Sequence, residues 1–235
     1  MNQIKKNTVS SVGQLEPSKL VDFPSEQNDG IRVLFLGNSI TRHGPCPSIG
    51  WNYDWGMAAS ELSKDYVHCI MEKVAQKGVK ACYCIAHAGD WERQHNTDSP
   101  LELSHFDRAK EFAADIIVWR LLENCSCADF NGLLYEARCK ALLDHVNPKQ
   151  SKHVIITTSF WKHPGDPSSR AVAAQRDYPL VELGHLGELD EMKALGLFAH
   201  EGVANHPGDR GMRAIADAIW TVMEPMLDAL ASSER

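Results

Sequence analysis

The sequence predicts one α/β domain, a three-layer α/β/α sandwich around a mostly parallel sheet of five strands. Short runs rich in β-branched and aromatic residues, which suit buried parallel strands, alternate with segments whose apolar residues recur at helical spacing. The chain has 235 residues, 43% of them hydrophobic, which suffices for one large core, and it shows no internal repeat. Right-handed connections between successive strands would keep them parallel in one sheet.

The first strand, helix and second strand form one unit of this fold. Residues 33–36 are an apolar run that stops at Gly37, so they predict a buried strand. A helix is predicted to begin with Ser63 as its N-cap and to stop at Gly78. Residues 79–85 predict the second strand. The apolar positions of the helix recur at helical spacing and are Val67, Ile70, Met71 and Val74.

The same alternation continues to the end of the chain. Helices are predicted at 104–114 and 131–145, strands at 116–119 and 154–158, and the fifth strand at 178–183. The last helix carries apolar residues on one face: Met212, Ile215, Ala216, Ile219 and Met223. Five strands alternating with helices predict a sheet wound in the flavodoxin-like manner.

The first thirty residues differ from the rest of the chain. Residues 1–30 have scattered Ser, Pro, Gln and Asn and weak periodicity, so they predict an N-terminal arm, extended or partly disordered. Residues 31–235 form the predicted domain. Neither a secretory signal nor a run of roughly 20 apolar residues is recognisable, so we expect a cytoplasmic protein that does not enter a membrane.

The net charge and the cysteine spacing argue against nucleic acid, anionic membranes and a zinc site. The formal net charge of -7 argues against binding to nucleic acid or to anionic membranes. Seven cysteines, an odd number, suit reduced thiols. The pairs Cys82/Cys84 and Cys125/Cys127 lack the spacing of common zinc sites, so core packing is predicted and no metal or cofactor is expected.

Polar residues follow several predicted strands and should meet at one edge of the sheet. Ser39 follows the first strand, Gly89 the second and Asn124 the third, while His206 precedes the last helix. A serine hydroxyl needs a nearby base to act as a nucleophile, and histidine has a suitable pKa. The Ser39 and Gly89 backbone N–H groups and the Asn124 amide are suited to stabilising an oxyanion. These residues predict acyl transfer.

Charged residues also lie near this edge. Asp90, Glu92, Arg93 and Arg120 follow the predicted second and third strands. They are candidates for substrate contacts, although charged residues at the start of loops are usually solvated. We therefore expect them at the surface.

The residues around Ser39 and His206 resemble those of the SGNH hydrolases, also called GDSL-type esterases and lipases. The match lies in residues 35–41, FLGNSIT, and 205–212, NHPGDRGM, with Ser39, Gly89, Asn124 and His206 as the four namesake residues. The blocks around Gly89 and Asn124 match less well. The resemblance covers residue 31 to the last helix and implies a serine esterase with this fold, Ser39 as nucleophile and His206 as base.

One departure from the family pattern concerns the group that orients His206. Family members commonly place an Asp three residues before the histidine, where this chain has Val203, and Glu201 lies two residues further back. Either Glu201 reaches the imidazole, or a backbone carbonyl orients it and the pair is a Ser–His dyad; we favour the carbonyl. Asp209 is interpreted as a helix cap.

The substrate class and two rival functions stay open at this point. The loop at 42–59 carries Trp51, Tyr53 and Trp55, which form either a wall for a sugar or acyl group or a plug over the core. We expect a small-molecule ester, with an acylated saccharide as the favoured case. The alternatives are a carbohydrate-binding protein without turnover and a flavodoxin-like protein that holds a phosphate or flavin with residues 37–41.

Overall fold

The computed structural model describes residues 21–22, 29–97 and 102–233, and its core is one six-stranded sheet. The strand order is β1-β3-β2-β4-β5-β6. The strands are β1 Val21–Asp22, β2 Ile31–Gly37, β3 Ala81–His87, β4 Ile116–Arg120, β5 Val154–Thr157 and β6 Leu180–Val181. Strands β2 to β6 are parallel and have the predicted flavodoxin-like order, which confirms the fold class.

The strand count differs from the prediction by one. Strand β1 pairs antiparallel with β3, with Val21 opposite Ala86, and it comes from the segment interpreted as an arm. Two residues are too few to show an alternating pattern, so the sequence does not reveal this strand. Strand β6 is also only two residues long and lies inside the range predicted for the fifth strand.

Helices cover both faces of the sheet. The α-helices are α1 Tyr66–Gln76, α2 Gly89–Gln94, α3 Asp107–Phe112, α4 Gly132–Val146, α5 Asp166–Arg176, α6 Glu201–Ala204 and α7 Asp209–Ser233. Leu34 and Leu36 face a core shared with α3, α4 and α5. Val33 and Phe35 face a second core shared with α1 and α7. Adjacent strand residues point to opposite faces, so β2 is buried on both sides.

Several helix boundaries correct the predictions. Helix α1 begins after Asp65, not Ser63, because the Asp65 carboxylate accepts the N–H of His68 at 2.9 Å. Asn131 caps α4 by accepting the N–H of Leu134 at 3.1 Å, close to the predicted start. Helices α2, α5 and α6 were not predicted, because α2 and α6 are short and α5 is rich in polar residues.

Helix α7 buries the predicted apolar face, but its first residue has another role. The Asp209 carboxylate accepts hydrogen bonds from the N–H of Ser60 at 2.8 Å and from its hydroxyl at 2.7 Å. The interpretation of Asp209 as a cap of its own helix is therefore wrong. The contact joins the loop that follows Ser39 to the helix that follows His206.

The thiols are all free. Cys82, Cys84 and Cys125 are buried, as predicted, but Cys127 is exposed, so its assignment to the core is wrong. Among the described residues, no group of three or more His, Cys, Asp or Glu side chains is arranged to hold a metal ion. Within the same ranges, no helix has the length and apolar character needed to span a membrane.

Candidate active site

A tight turn after β2 presents Ser39 at the carboxyl edge of the sheet. The N–H groups of Thr41 and Arg42 both donate to the carbonyl of Asn38 at 2.9 Å. A Cβ at Gly37 would lie 1.8 Å from the Thr41 hydroxyl oxygen, so only glycine fits where the turn folds back over the strand. Ser39 is half-buried while its neighbours in the chain are buried, so the turn leaves its hydroxyl accessible.

His206 lies beside this hydroxyl in a single tautomer. Its Nε2 is 2.9 Å from the Oγ of Ser39, and its Nδ1 is 2.6 Å from the carbonyl oxygen of Gly202. A carbonyl oxygen can only accept, so Nδ1 carries the proton and Nε2 is left as the acceptor for the Ser39 hydroxyl. This is the arrangement that a general base requires.

The environment of His206 keeps its imidazole neutral. Burial lowers the pKa of His206 to about 4, against the smaller raising effect of the hydrogen bond with Gly202. The ring of Trp161 packs edge-on against the imidazole, with ring centroids 5.2 Å apart. Above about pH 5 the imidazole is therefore neutral and able to accept a proton.

A buried valine occupies the position where the family resemblance places an orienting acid. Val203 is fully buried among apolar residues, and Glu201 is exposed. Gly202, between them in α6, supplies the carbonyl that contacts Nδ1. The structure thus matches the main-chain alternative for the orientation of His206.

The sheet register brings the segments carrying Gly89 and Asn124 to the same edge as Ser39. Gly37 pairs with His87 on β3 and with Arg120 on β4, so the chain leaves three adjacent strands at one level. Gly89 opens α2, and Asn124 lies in the loop that follows β4.

The three predicted oxyanion donors differ in their present partners. Within the described part of the chain, the Ser39 N–H donates to no other group. The Gly89 N–H donates to Nδ1 of His87 at 3.3 Å. The Asn124 amide gives one hydrogen to Glu92 Oε2 at 2.6 Å, and its other hydrogen is not engaged. Ser39 and Asn124 thus each have a donor hydrogen available.

Little space is available for a side chain at Gly89. A Cβ at this position would lie 2.8 Å from Cε1 of His87 and 3.4 Å from Nη1 of Arg93. Arg93 also bonds Asp90 at 3.0 Å and donates to Oδ1 of Asn124 at 3.4 Å. The guanidinium therefore bridges the Gly89 and Asn124 segments.

Directly beneath the turn lies a buried polar cluster made of Asn38, Glu92, Arg120 and Glu123. Asn38 Nδ2 donates to Glu92 at 3.0 Å and to Glu123 at 2.6 Å, while its Oδ1 accepts from Arg120. Arg120 Nη1 pairs with Glu123 at 2.6 Å, and Glu123 also accepts the N–H of Phe160 at 2.9 Å. Arg120 and Glu92 are fully buried, so the expectation that these charged residues are solvated is wrong.

The cluster contains two carboxyl groups, and their pKa values shift in opposite directions. Burial and the charge of Glu123 raise the pKa of Glu92 to about 7. For Glu123, burial acts to raise the pKa, but Arg120 and the hydrogen bonds from Phe160 and Asn38 outweigh it and lower the pKa. Glu123 is therefore the more acidic of the two carboxyl groups, and it pairs with Arg120.

The loop at 42–59 folds back onto the turn that carries Ser39. Met57 donates its N–H to the carbonyl of Ser39 at 2.9 Å. Trp51 is fully buried, whereas Tyr53 is 44% exposed and stacks on Trp55 with ring centroids 4.3 Å apart. The loop thus combines a plug over the core, as one reading of the sequence predicted, with an exposed aromatic face.

No local sequence pattern marks the buried polar cluster. Its members are separated by up to 85 positions and are joined only when β2, α2 and β4 meet. The sequence holds one hint of the cluster. Arg120 ends an apolar strand and Glu92 follows another closely, and charged residues are uncommon at such positions.

Comparison with solved structures identifies the class of fold. The structure resembles esterase EstA from Pseudoalteromonas sp., with a TM-score of 0.57 at 10% identity, over 84% of this chain and 98% of that chain. It resembles a lipase/acylhydrolase from Enterococcus faecalis, with a TM-score of 0.52 at 15% identity, over 83% and 95% of the two chains. The chain has the fold of the SGNH, or GDSL-type, hydrolases, which confirms the fold that the sequence resemblance implied.

A third similar structure is a two-domain esterase active on acetylated mannans. The TM-score is 0.52 at 15% identity, and the similarity covers 85% of this chain and 49% of that one. No protein-family model matches the chain, and a search of curated proteins gives no match.

Proposed function

We propose that this protein is a serine ester hydrolase that acts through an acyl-enzyme on Ser39. The observation that carries the proposal is the 2.9 Å contact between Ser39 Oγ and His206 Nε2, in a tautomer that leaves Nε2 as an acceptor. The similarity in fold to esterases and lipases supports the same reaction class.

In the proposed reaction, Ser39 Oγ attacks the acyl carbon of the ester while its proton passes to His206 Nε2. The tetrahedral intermediate collapses when the carbon–oxygen bond to the alcohol breaks and His206 gives its proton to that alcohol. Water then attacks the acyl-enzyme, its proton passes to His206, and the acid leaves as Ser39 regains its hydrogen.

The oxyanion of each tetrahedral intermediate needs donors that are already in place. We assign this role to the Ser39 N–H and the free hydrogen of the Asn124 amide, with the Gly89 N–H as a third donor. The Gly89 group would exchange its 3.3 Å contact with His87 for the oxyanion, a stronger acceptor because it is charged.

For the substrate we propose short O-acyl esters of small polar molecules, with acetylated saccharides favoured. The exposed face of Tyr53 stacked on Trp55 suits contact with a sugar ring. The resemblance to the esterase active on acetylated mannans supports this choice. A screen of acetylated saccharides against simple esters of increasing acyl length tests it, and a preference that rises steadily with chain length would contradict it.

Neither rival gains a supporting observation. The phosphate or flavin alternative required a helix that starts at the turn, but the described chain has no α-helix between residue 37 and the start of α1 at Tyr66. A binding protein without turnover would not need the neutral, correctly oriented base next to Ser39.

The decisive experiment measures hydrolysis of nitrophenyl acetate and butyrate by the wild type and by Ser39→Ala. Loss of the nucleophile is expected to lower kcat by about 10⁴-fold or more. Ser104→Ala, which removes an exposed hydroxyl far from the turn in sequence, is the matched control and should retain wild-type turnover.

A covalent probe gives an independent readout. An alkyl fluorophosphonate should form a phosphorus–oxygen bond to Ser39 with release of fluoride, and peptide mass spectrometry should place the added mass on that residue. Unchanged turnover in Ser39→Ala, or labelling that survives this substitution, would refute the proposal.

A further inference from the structure

Glu92 is the residue that joins all three segments carrying the proposed oxyanion donors. It lies in α2, the helix that Gly89 opens, and it is fully buried. Its Oε1 accepts from Asn38, the neighbour of Ser39, at 3.0 Å, and its Oε2 accepts from the Asn124 amide at 2.6 Å. No other side chain in the buried polar cluster contacts both Asn38 and the Asn124 amide.

The segment that carries Asn124 needs such support because its backbone is strained. Leu122, two residues earlier, is fully buried and has φ 148°, a region that side chains other than glycine rarely adopt. The N–H of Leu122 donates to Glu92 Oε1. The carboxylate thus holds the strained residue and the amide that follows it.

The contacts of Glu92 also decide which way the Asn124 amide faces. A carboxylate only accepts, so the Nδ2 end of Asn124 must point toward Glu92, while Arg93 donates to the Oδ1 end at 3.4 Å. Nδ2 carries two hydrogens, and fixing one on Glu92 fixes the direction of the other. A neutral side chain that offers a donor instead would favour the flipped amide.

We propose that Glu92 is a positioning residue for ester hydrolysis, which orients Asn124 Nδ2 toward the oxyanion through a direct hydrogen bond. The proposal rests on the function proposed above. Glu92 itself does not contact the reacting atoms. It acts through Asn124, and its ionised form is the one that accepts all of these hydrogen bonds.

Ionisation of Glu92 gives the proposal a pH signature. Glu123 and Arg120 act on it electrostatically, and Arg93 shares Asn124 with it. Burial and the Glu123 charge raise the pKa of Glu92 to about 7. As the pH rises through 7, Glu92 loses its proton and kcat should increase. The protonation of His206, with a pKa of about 4, affects the rate only at lower pH.

The test is a double-mutant cycle of Glu92→Gln and Asn124→Ala, with kcat and KM measured from pH 5 to 9. Glu92→Gln alone should lower kcat by about 10²-fold, the effect of losing one oxyanion donor, and should change KM little. In the Asn124→Ala background, the same substitution should add little, because the amide it orients is gone. The increase in kcat near pH 7 should be absent from Glu92→Gln. Glu111→Gln, on the exposed face of α3, is the matched control and should keep the wild-type profile.

Equal losses in both backgrounds, or an unchanged step near pH 7 in Glu92→Gln, would overturn the proposal and show that Glu92 only stabilises the fold. If Glu92→Gln does not fold, NMR of the ¹⁵N-labelled Ser39→Ala protein decides instead. The side-chain amide signals of Asn124, identified by their loss in Asn124→Ala, should shift with a midpoint near pH 7, and a flat titration would overturn the proposal.

These readouts also separate the two proposals. If the Asn124 amide signals titrate but the protein shows no Ser39-dependent turnover, the esterase function and the positioning role of Glu92 are both refuted, while the hydrogen bond between Glu92 and Asn124 stands. Ser39-dependent turnover with no coupling between Glu92 and Asn124 refutes only the role of Glu92.

Discussion

His206 and Asn124 both serve Ser39 in the proposed mechanism, but different kinds of group hold them. His206 is held by a main-chain carbonyl, that of Gly202, and its ring packs against Trp161. Asn124 is held by the carboxylate of Glu92, which belongs to a buried cluster with two acids and one guanidinium. The base thus depends on backbone geometry, which no single side-chain exchange removes, whereas the oxyanion side depends on ionisable side chains whose loss leaves charges unpaired.

The largest effect on stability is expected from Arg120→Met, which removes the guanidinium of the buried polar cluster. The substitution leaves Glu123 and Oδ1 of Asn38 without their buried partner, so the free energy of unfolding should fall by about 3–5 kcal/mol. Urea unfolding followed by circular dichroism measures this change.

The matched control for this variant is Arg170→Met. Arg170 pairs with Glu182 through two hydrogen bonds, but both side chains are about half exposed, so the loss should stay below about 1 kcal/mol. Equal destabilisation by the two variants would show that burial of the Arg120 pair contributes nothing.

A smaller effect is expected from His87→Asn, which tests how the buried histidines respond to acid. Burial lowers the pKa of His43 and His206 to about 4 and that of His87 to about 3. Below pH 6.5 these rings bind protons in the unfolded chain but not in the fold, so stability falls as the pH drops from 6.5 toward 4. The raised pKa of Glu92 acts in the opposite direction below pH 7, but it is one group against three.

Urea unfolding at several pH values between 6.5 and 4.5 measures the slope. His87→Asn should reduce the slope by up to about 1.4 kcal/mol per pH unit, the contribution of one proton. The same exchange at exposed His105 should leave it unchanged. A wild-type stability that rises on acidification across this window would contradict the neutral state of these rings.

The smallest effect is expected from Glu201→Gln, which tests whether the backbone carbonyl of Gly202 orients His206. Glu201 is exposed and the Gly202 carbonyl already contacts Nδ1, so kcat/KM should remain within about twofold of wild type. A loss as large as that of His206→Ala, measured in the same ester assay with the fold intact, would show that Glu201 supplies the orienting charge.

Elements of the fold that depend on local sequence patterns were predicted well, and those that depend on contacts between distant residues were not. Strand β2 and the apolar face of α7 are visible in the sequence because burial leaves a local pattern. Strand β1 is not, since two residues pair with β3 only through tertiary contact. Ser39 and His206 were found by their motifs, and the register of β2 with its neighbours explains why Gly89 and Asn124 share their edge.

The supporting groups of the site were predicted poorly for a physical reason. Charged residues such as Glu92 and Arg120 are predicted to be exposed unless their partners are known. Those partners lie on other strands and loops. The partner of Nδ1 on His206 is a carbonyl, which every residue carries, so no side-chain pattern marks Gly202.

The contact between Ser60 and Asp209 has a consequence for the order of folding. It closes a span of 149 residues, and the neighbouring Ser39–His206 contact closes one of 167. Contacts between such distant parts of the chain carry a large loop-closure cost and form after local helices and adjacent strands. We therefore expect Ser39 and His206 to meet late in folding, so the ester hydrolysis proposed for this pair would require the fully folded chain.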